Sequence, residues 1–113
     1  MHKMKLSDII NSLSLTVIAG DLERDIEGVY AGDFLSRAMS RVEAGDLWIT
    51  IMNNVNVIAV ASLTDAAAVL LAEDVSLMPD AFEAASEKGV TVLSSGMSVY
   101  ELCVALSKFG TAL

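Results

Sequence analysis

Apolar residues at helical spacing alternate along this chain with short apolar runs that are rich in β-branched side chains. The first helical pattern covers residues 5–12, where Leu6 and Ile9 lie on the same face. A strand is predicted at residues 15–19, and the charged residues 21–25 predict a surface loop. The chain therefore begins with a helix and a strand that are joined by a short turn.

The middle of the chain continues this alternation. A strand at residues 26–31 leads into a helix that Asp33 is positioned to cap. Residues 47–51 are almost continuously apolar, as in a strand that is covered on both faces. After a polar interruption at residues 52–56, the apolar run at residues 57–61 is again typical of a short buried strand. We therefore expect three strands in this part of the chain.

The following segment contains a helix with clear start and stop signals. Residues 62–65 have the S-x-x-D pattern that opens a short helix. Residues 68–72 fit either a continuation of that helix or a strand, and we favour a strand from about Val69. A further helix is predicted from Pro79, which is tolerated in a first helical turn, to Gly89, which is suited to follow a helix end.

The last two elements are a strand and a capped helix. Residues 90–93 predict the strand, and Ser98 with Glu101 forms a capping box before the helix, which Gly110 ends. Strands that alternate with helices at this spacing predict an α/β fold, in which a mostly parallel sheet is flanked by helices in a single three-layer-like domain.

Length and composition limit what this fold can be. The chain has 113 residues, which suffices for one domain, and we expect it to span residues 5–110 between a flexible N-terminus at 1–4 and a tail at 111–113. Hydrophobic residues make up 54%, which excludes disorder, but no uninterrupted apolar run approaches the roughly 18 residues of a membrane span. The net charge of −8 has the wrong sign for phosphate binding over a broad surface. We therefore expect neither nucleic acid nor a membrane as partner.

Residues with catalytic chemistry are scarce. His2 is the only histidine and Cys103 the only cysteine, and no phosphate-binding loop, nucleophile elbow or paired-cysteine motif occurs. The acidic loop at residues 21–25 lacks a second carboxylate motif to complete a cation site. We expect no enzymatic activity, catalytic residue, metal or cofactor. The unpaired cysteine and the lack of an export signal predict a cytoplasmic protein.

Polar loops follow three of the predicted strands, and ligands of parallel sheets bind beyond the carboxyl ends of strands. Ordinary turn chemistry explains the serine and glycine residues of these loops better than a ligand does, whereas both explanations suit the asparagines equally. The candidate ligand-binding residues are Gly32, Asp33, Asn53, Asn54, Asn56, Ser94, Ser95 and Gly96.

Three stretches resemble a known family. Residues 28–36 (Gly-Val-Tyr-Ala-Gly-Asp-Phe-Leu-Ser), 45–50 and 89–95 are similar to the DRTGG domain, which is related to the N-terminal domain of HPr kinase/phosphorylase. The resemblance is strongest to short stand-alone members of that family. Two segments depart from its pattern: residues 53–56 replace the Asp-Arg signature, and residues 72–75 replace a Thr-Gly-Gly-like turn.

This resemblance implies an HPr kinase N-terminal-domain-like fold and a non-catalytic regulatory or sensory role. It also implies homodimers. Together with the polar loops, it leads us to expect a small anionic ligand, such as a nucleotide, at the carboxyl ends of the strands. The alternative is an acidic interaction module that docks a redox or metabolic partner enzyme, because the net charge is −8.

The apolar fraction is high for so short a chain. A sheet that is covered on both faces accounts for part of it, but a domain of this size has little interior. We therefore expect some of the larger apolar side chains to lie at a homodimer interface. The candidates are Met39, Trp48, Met52, Met78, Phe82, Met97 and Phe109.

Overall fold

The computed structural model describes residues 4–109, which contain seven strands and five helices. The helices are α1 (Leu6–Leu13), α2 (Leu35–Arg41), α3 (Val55–Thr64), α4 (Pro79–Lys88) and α5 (Val99–Leu106). The strands are β1 (Met4–Lys5), β2 (Thr16–Ala19), β3 (Asp25–Ile26), β4 (Gly28–Ala31), β5 (Asp46–Thr50), β6 (Ala68–Leu71) and β7 (Val92–Ser94). The expected flexible N-terminus at 1–4 lies outside this range except for Met4, which is buried in β1, and Gly110 as a helix stop and the tail at 111–113 also lie outside it.

Five of the strands form one sheet in the order β2-β7-β6-β5-β4. The neighbouring pairs from β4 to β7 are parallel, whereas β2 runs antiparallel to β7 at the edge of the sheet. The short strands β1 and β3 form a separate antiparallel pair, in which the buried Met4 lies opposite Ile26. The sheet is therefore mostly parallel, as predicted.

Helices cover both faces of the sheet. In β5, Leu47 and Ile49 pack into the core beneath α1 and α5, whereas Trp48 points to the opposite face and packs beneath α2, α3 and α4. The chain crosses from β4 to β7 one strand at a time, so right-handed connections bring the three intervening helices to the same face. This arrangement confirms the predicted α/β domain with a central sheet between two helical layers.

Elements with strong local signals lie where the sequence predicts them. Pro79 is the first residue of α4, and Gly89 ends that helix with a left-handed φ of 67°. The Ser98 hydroxyl accepts a hydrogen bond from the Glu101 backbone N–H, and the Glu101 carboxylate accepts one from the Ser98 N–H, which completes the capping box of α5. These signals act within a few residues and need no tertiary context. The strand favoured near Val69 is also present, as β6.

The predicted strand at residues 57–61 is wrong, because these residues form the centre of α3. Asn54 caps this helix, and the predicted helix start at residues 62–65 is instead its end, where Asp65 has a left-handed backbone. The helix contacts α2 on one side and α4 on the other. Its apolar residues therefore extend around most of its circumference, which hides the helical period in the sequence.

Two further expectations for the middle of the chain need correction. The predicted strand at residues 26–31 is two strands, since it is interrupted at Glu27 and its two parts pair with different partners. Asp33 does not cap α2: Phe34 occupies the N-cap position, and no side chain bonds to the helix start there. The Asp33 carboxylate is instead bonded to the end of the neighbouring strand β5.

Candidate functional site

The carboxyl ends of the four parallel strands lie side by side and are followed by polar connections. We call these connections the carboxyl edge; they are residues 32–34, 51–54, 72–78 and 95–98. The sequence singled out three of them and missed residues 72–78. That connection lies in the middle of the edge because β6 lies between β5 and β7. The signal in the sequence that could have identified this connection is the acidic pair Glu73-Asp74, which follows an apolar run.

Asp33 joins the first two connections. Its Oδ1 accepts hydrogen bonds from the Thr50 hydroxyl at 2.8 Å and from the Ile51 backbone N–H at 3.1 Å. The Thr50 hydroxyl in turn accepts a bond from the Met52 N–H at 3.1 Å. Thr50 is fully buried, so these bonds satisfy a hydroxyl that is shielded from water. Asp33 thereby fixes the connection after β4 to the connection after β5.

The three asparagines serve mainly to build the turn before α3. Asn54 accepts a hydrogen bond from the Asn56 N–H at 2.9 Å, whereas the Asn53 side chain donates to the Ser76 carbonyl at 2.7 Å. The Asn53 carbonyl accepts a bond from the Met78 N–H at 3.1 Å. Asn56 lies exposed in the first turn of the helix. The Asn54 side chain therefore acts within the turn, whereas the Asn53 side chain bonds the turn to the connection at residues 72–78.

The connections after β6 and β7 are also locked to each other. The Ser95 carbonyl accepts a hydrogen bond from the Asp74 N–H at 2.9 Å, and the Ser95 hydroxyl accepts one from the Met97 N–H at 3.0 Å. A Cβ atom at Gly96 would stand 3.1 Å from Asp74 Oδ2, so glycine allows the carboxylate to approach closely. Glu73 and Asp74 both have left-handed φ angles, of 60° and 59°.

Carboxylates dominate the charge of the carboxyl edge. Asp33, Glu73 and Asp74 lie there, and Arg37, in the first turn of α2, is the nearest basic residue along the chain among those that the structure describes. Arg24 lies at the opposite end of the sheet, where its guanidinium is 2.8 Å from Asp65. A free phosphate group would therefore be repelled at most of this edge.

A groove of about 660 Å³ opens next to the carboxyl edge, on the face of the sheet that carries α4. Residues 74–77 form one wall, and α4 contributes Phe82 and Glu83 to its lining. Ile18 of β2 and Ser94 of β7 also line it. Ser94 is the one lining residue among the predicted ligand residues. The groove has the volume of a small-molecule site and lies where ligands of parallel sheets bind.

A second group of carboxylates lies at the opposite end of the sheet, where Glu27 and Glu43 approach Asp46. Burial raises the pKa of Asp46, the Glu43 backbone hydrogen bond of 2.8 Å opposes that rise, and the charges of Glu43 and Glu27 add to it. Within residues 4–109, no three His, Cys, Asp or Glu side chains are arranged to hold a metal ion.

We expect Asp46→Asn to raise the thermal midpoint near neutral pH. Because the pKa of this carboxyl is raised on folding, its ionised form destabilises the fold above the folded pKa, and that penalty disappears as the pH falls below the unfolded value. Asparagine keeps an oxygen for the Glu43 N–H. Melting curves from about pH 7 to about pH 3 should show the advantage shrinking with acidity. Glu87→Gln, an exposed carboxylate on α4, serves as the control; an advantage that grows with acidity contradicts the explanation.

Most of the predicted interface residues are accessible, but Trp48 is not. The Trp48 side chain has 0% exposure and donates a 2.9 Å hydrogen bond to the Gly32 carbonyl, so its assignment to a surface contact is wrong. Met52 and Met97 are half-buried against the two core clusters. The exposed candidates are Met39, Met78, Phe82 and Phe109. They are distributed over both helical layers, so one flat surface does not contain them all.

No family model and no curated protein matches this sequence. The structure is similar to that of the CBS and DRTGG domains of the regulatory region of Clostridium perfringens pyrophosphatase, solved in complex with its activator diadenosine tetraphosphate. The TM-score is 0.74 at 12% identity, over 89% of this chain and 45% of that one. The likeness supports a DRTGG-like fold, and this chain spans less than half of that protein chain. No helix within residues 4–109 is long and apolar enough to cross a membrane.

Proposed function

We propose that this chain is a non-catalytic regulatory domain that binds a small molecule in the groove beside the carboxyl edge. The groove itself is the main support for the proposal: strand ends, residues 74–77 and the start of α4 line an open space of about 660 Å³. Connections held together by hydrogen bonds form its border, so the site is preformed. Of the residues predicted from the sequence, Ser94 lines the groove, and Ser95 and Gly96 support the wall that contains Asp74.

The structural neighbour supports a regulatory role. That protein region is regulatory and was solved in complex with the activator diadenosine tetraphosphate, which makes nucleosides and nucleotides the first compounds to test here. Because carboxylates dominate this edge, we expect the uncharged part of such a ligand to enter the groove, with any phosphates in solvent. The stand-alone DRTGG assignment and the relation to HPr kinase stay predictions.

A thermal-shift panel of metabolites, nucleosides and nucleotides tests this proposal. A ligand at about 100 times its Kd increases the free energy of unfolding by about 2.7 kcal/mol. For a domain of this size, this increase raises the melting temperature by several degrees. We expect Phe82→Ala to abolish the shift, because the Phe82 ring lines the groove. Leu63→Ala is the matched control, since Leu63 is an exposed apolar residue on α3 outside the groove. A panel in which no compound shifts the melting temperature contradicts the proposal.

Exposed apolar side chains along the same edge favour a second role, homodimer formation. We define the apolar rim as Phe34, Ile51, Val55 and Met78, all of which are exposed, with Phe34 at 77%. Hydrogen bonds connect the segments that carry them: the Asp33 carboxylate accepts from the Ile51 N–H, and the Asn53 carbonyl accepts from the Met78 N–H. Apolar residues gathered in this way are typical of protein contact surfaces. We propose that two copies associate through this rim.

Light scattering at micromolar concentration measures the association directly. The expected mass is about twice the 11.9 kDa of one chain, and Phe34→Ala should shift the population toward monomer because it removes the most exposed ring of the rim. Leu63→Ala again provides an exposed apolar control outside the rim. A wild-type monomer at this concentration contradicts the homodimer.

A further inference from the structure

We infer that the groove selects a ligand that carries a protonated amine on an apolar body. This inference rests on the proposed function, because it concerns the same groove, and it names the class of ligand that the lining favours. Three features support it: an apolar surface, two carboxylates without cationic partners among the described residues, and a helix start at which Pro79 has no N–H and the Ala81 and Phe82 N–H groups are already bonded.

The apolar part of the lining can receive the body of the ligand. The Phe82 ring is 45% exposed and lies on the groove side of α4. Ile18 contributes from the sheet, and Val75 and Leu77 contribute from the connection before α4; all three are half-buried. An aromatic or aliphatic group placed here would remove exposed apolar surface from water on both partners.

The charged part of the lining consists of Asp74 and Glu83, and no lysine or arginine lines the groove. Neither carboxylate forms an ion pair within the described part of the chain. Asp74 is held by its backbone bond to Ser95 and by its left-handed φ of 59°, so the position of its main chain is fixed before a ligand arrives. The hydroxyl of Ser94 can accept a further ammonium hydrogen. This set of acceptors complements an ammonium group.

The start of α4 offers few N–H donors that could offset this preference. Pro79 has no N–H, the Ala81 N–H donates to the Asp80 carboxylate at 2.9 Å, and the Phe82 N–H donates to the Met78 carbonyl at 2.9 Å. A helix start attracts anions through free N–H groups, and here Asp80 already supplies the negative charge. An anionic ligand would therefore meet carboxylates with little compensation from the helix start.

Three probes that share one scaffold separate the ligand classes: phenethylamine, phenethyl alcohol and phenylpropanoate. We expect the amine to bind about threefold to tenfold more tightly than the alcohol, because one or two exposed ion pairs contribute a free energy of that size. The carboxylate should bind most weakly. The measurement is an NMR titration of the isotope-labelled full chain, with shifts expected at Phe82 and at residues 74–77. Added salt should weaken amine binding and leave alcohol binding unchanged.

Two variants and one control assign the preference to the carboxylates. Asp74→Asn and Glu83→Gln should each reduce the preference for amine over alcohol, whereas Glu87→Gln should not, because Glu87 lies one turn further along α4 and does not line the groove. If the alcohol or the carboxylate binds as tightly as the amine, the inference is overturned while the proposed function stands. If none of the probes binds but a metabolite shifts the melting temperature through Phe82, the inference again fails alone. If neither experiment detects a ligand, both proposals fall.

Discussion

Replacing Trp48 with alanine is expected to lower the free energy of unfolding by about 3–5 kcal/mol. Trp48 is the largest fully buried side chain, and it packs between β5 and the layer of α2, α3 and α4. Its loss leaves a cavity that close-packed neighbours fill only in part. It also removes the 2.9 Å hydrogen bond to the Gly32 carbonyl at the carboxyl edge. Chemical denaturation followed by circular dichroism measures the change.

Trp48→Phe separates the two contributions. Phenylalanine retains most of the ring volume but cannot donate to Gly32, so we expect a smaller loss of about 1–3 kcal/mol. If alanine and phenylalanine cost the same, the hydrogen bond rather than the packing would explain the effect. A loss below about 1 kcal/mol for alanine would contradict the burial of this side chain.

Gly20→Ala should have the second largest effect, a loss of about 2–5 kcal/mol. Gly20 follows β2 with a φ of 97°, where an alanine is strained by about 1–2 kcal/mol. An added Cβ would overlap the Cα of Thr91 and would lie 2.9 Å from its Cβ. Since the collision is with the backbone, the turn has to move, at a typical cost of about 1–3 kcal/mol. Moving this turn would also strain the bond from the Thr91 hydroxyl to the Asp21 carbonyl.

Gly89→Ala is the matched control for this prediction. Gly89 also has a left-handed φ, of 67°, but a Cβ there would have no atom within 4 Å. The Gly89→Ala variant should therefore lose only the stability that the backbone strain costs, about 1–2 kcal/mol. Denaturation midpoints and slopes of both variants give the comparison. Equal losses for the two variants would show that the contact with Thr91 carries no cost.

Much of the fold could be predicted because its signals are local. Pro79 and Gly89 delimit α4, and the Ser98-Glu101 capping box starts α5, in each case through contacts between residues a few positions apart. The residues of α3, in contrast, were predicted incorrectly, because residues 57–61 were assigned to a strand. That helix is apolar on most sides because it lies between two other helices and the sheet, so its composition resembles that of a buried strand.

The candidate site was predicted less completely for a related reason. The sequence identified loops that follow strands, but it did not reveal that β6 lies between β5 and β7. Residues 72–78 were therefore missed, although Asp74 and Val75 line the groove. Asp33 was assigned to a helix cap, whereas its partners are Thr50 and Ile51 on the neighbouring strand. Bonds between distant segments leave no periodic pattern in the sequence.

By itself, the sequence determined the class of this protein: an acidic α/β domain whose strands are apolar on both faces and whose helices have their own start and stop signals. The tertiary structure decided which apolar residues are buried, since Trp48 is inside whereas Phe34 and Phe82 are exposed. It also decided that a groove whose lining residues include Asp74 and Glu83 forms beside the strand ends. The physical reason is range: propensity and capping act over one helical turn, whereas burial and a binding site depend on which distant strands become neighbours.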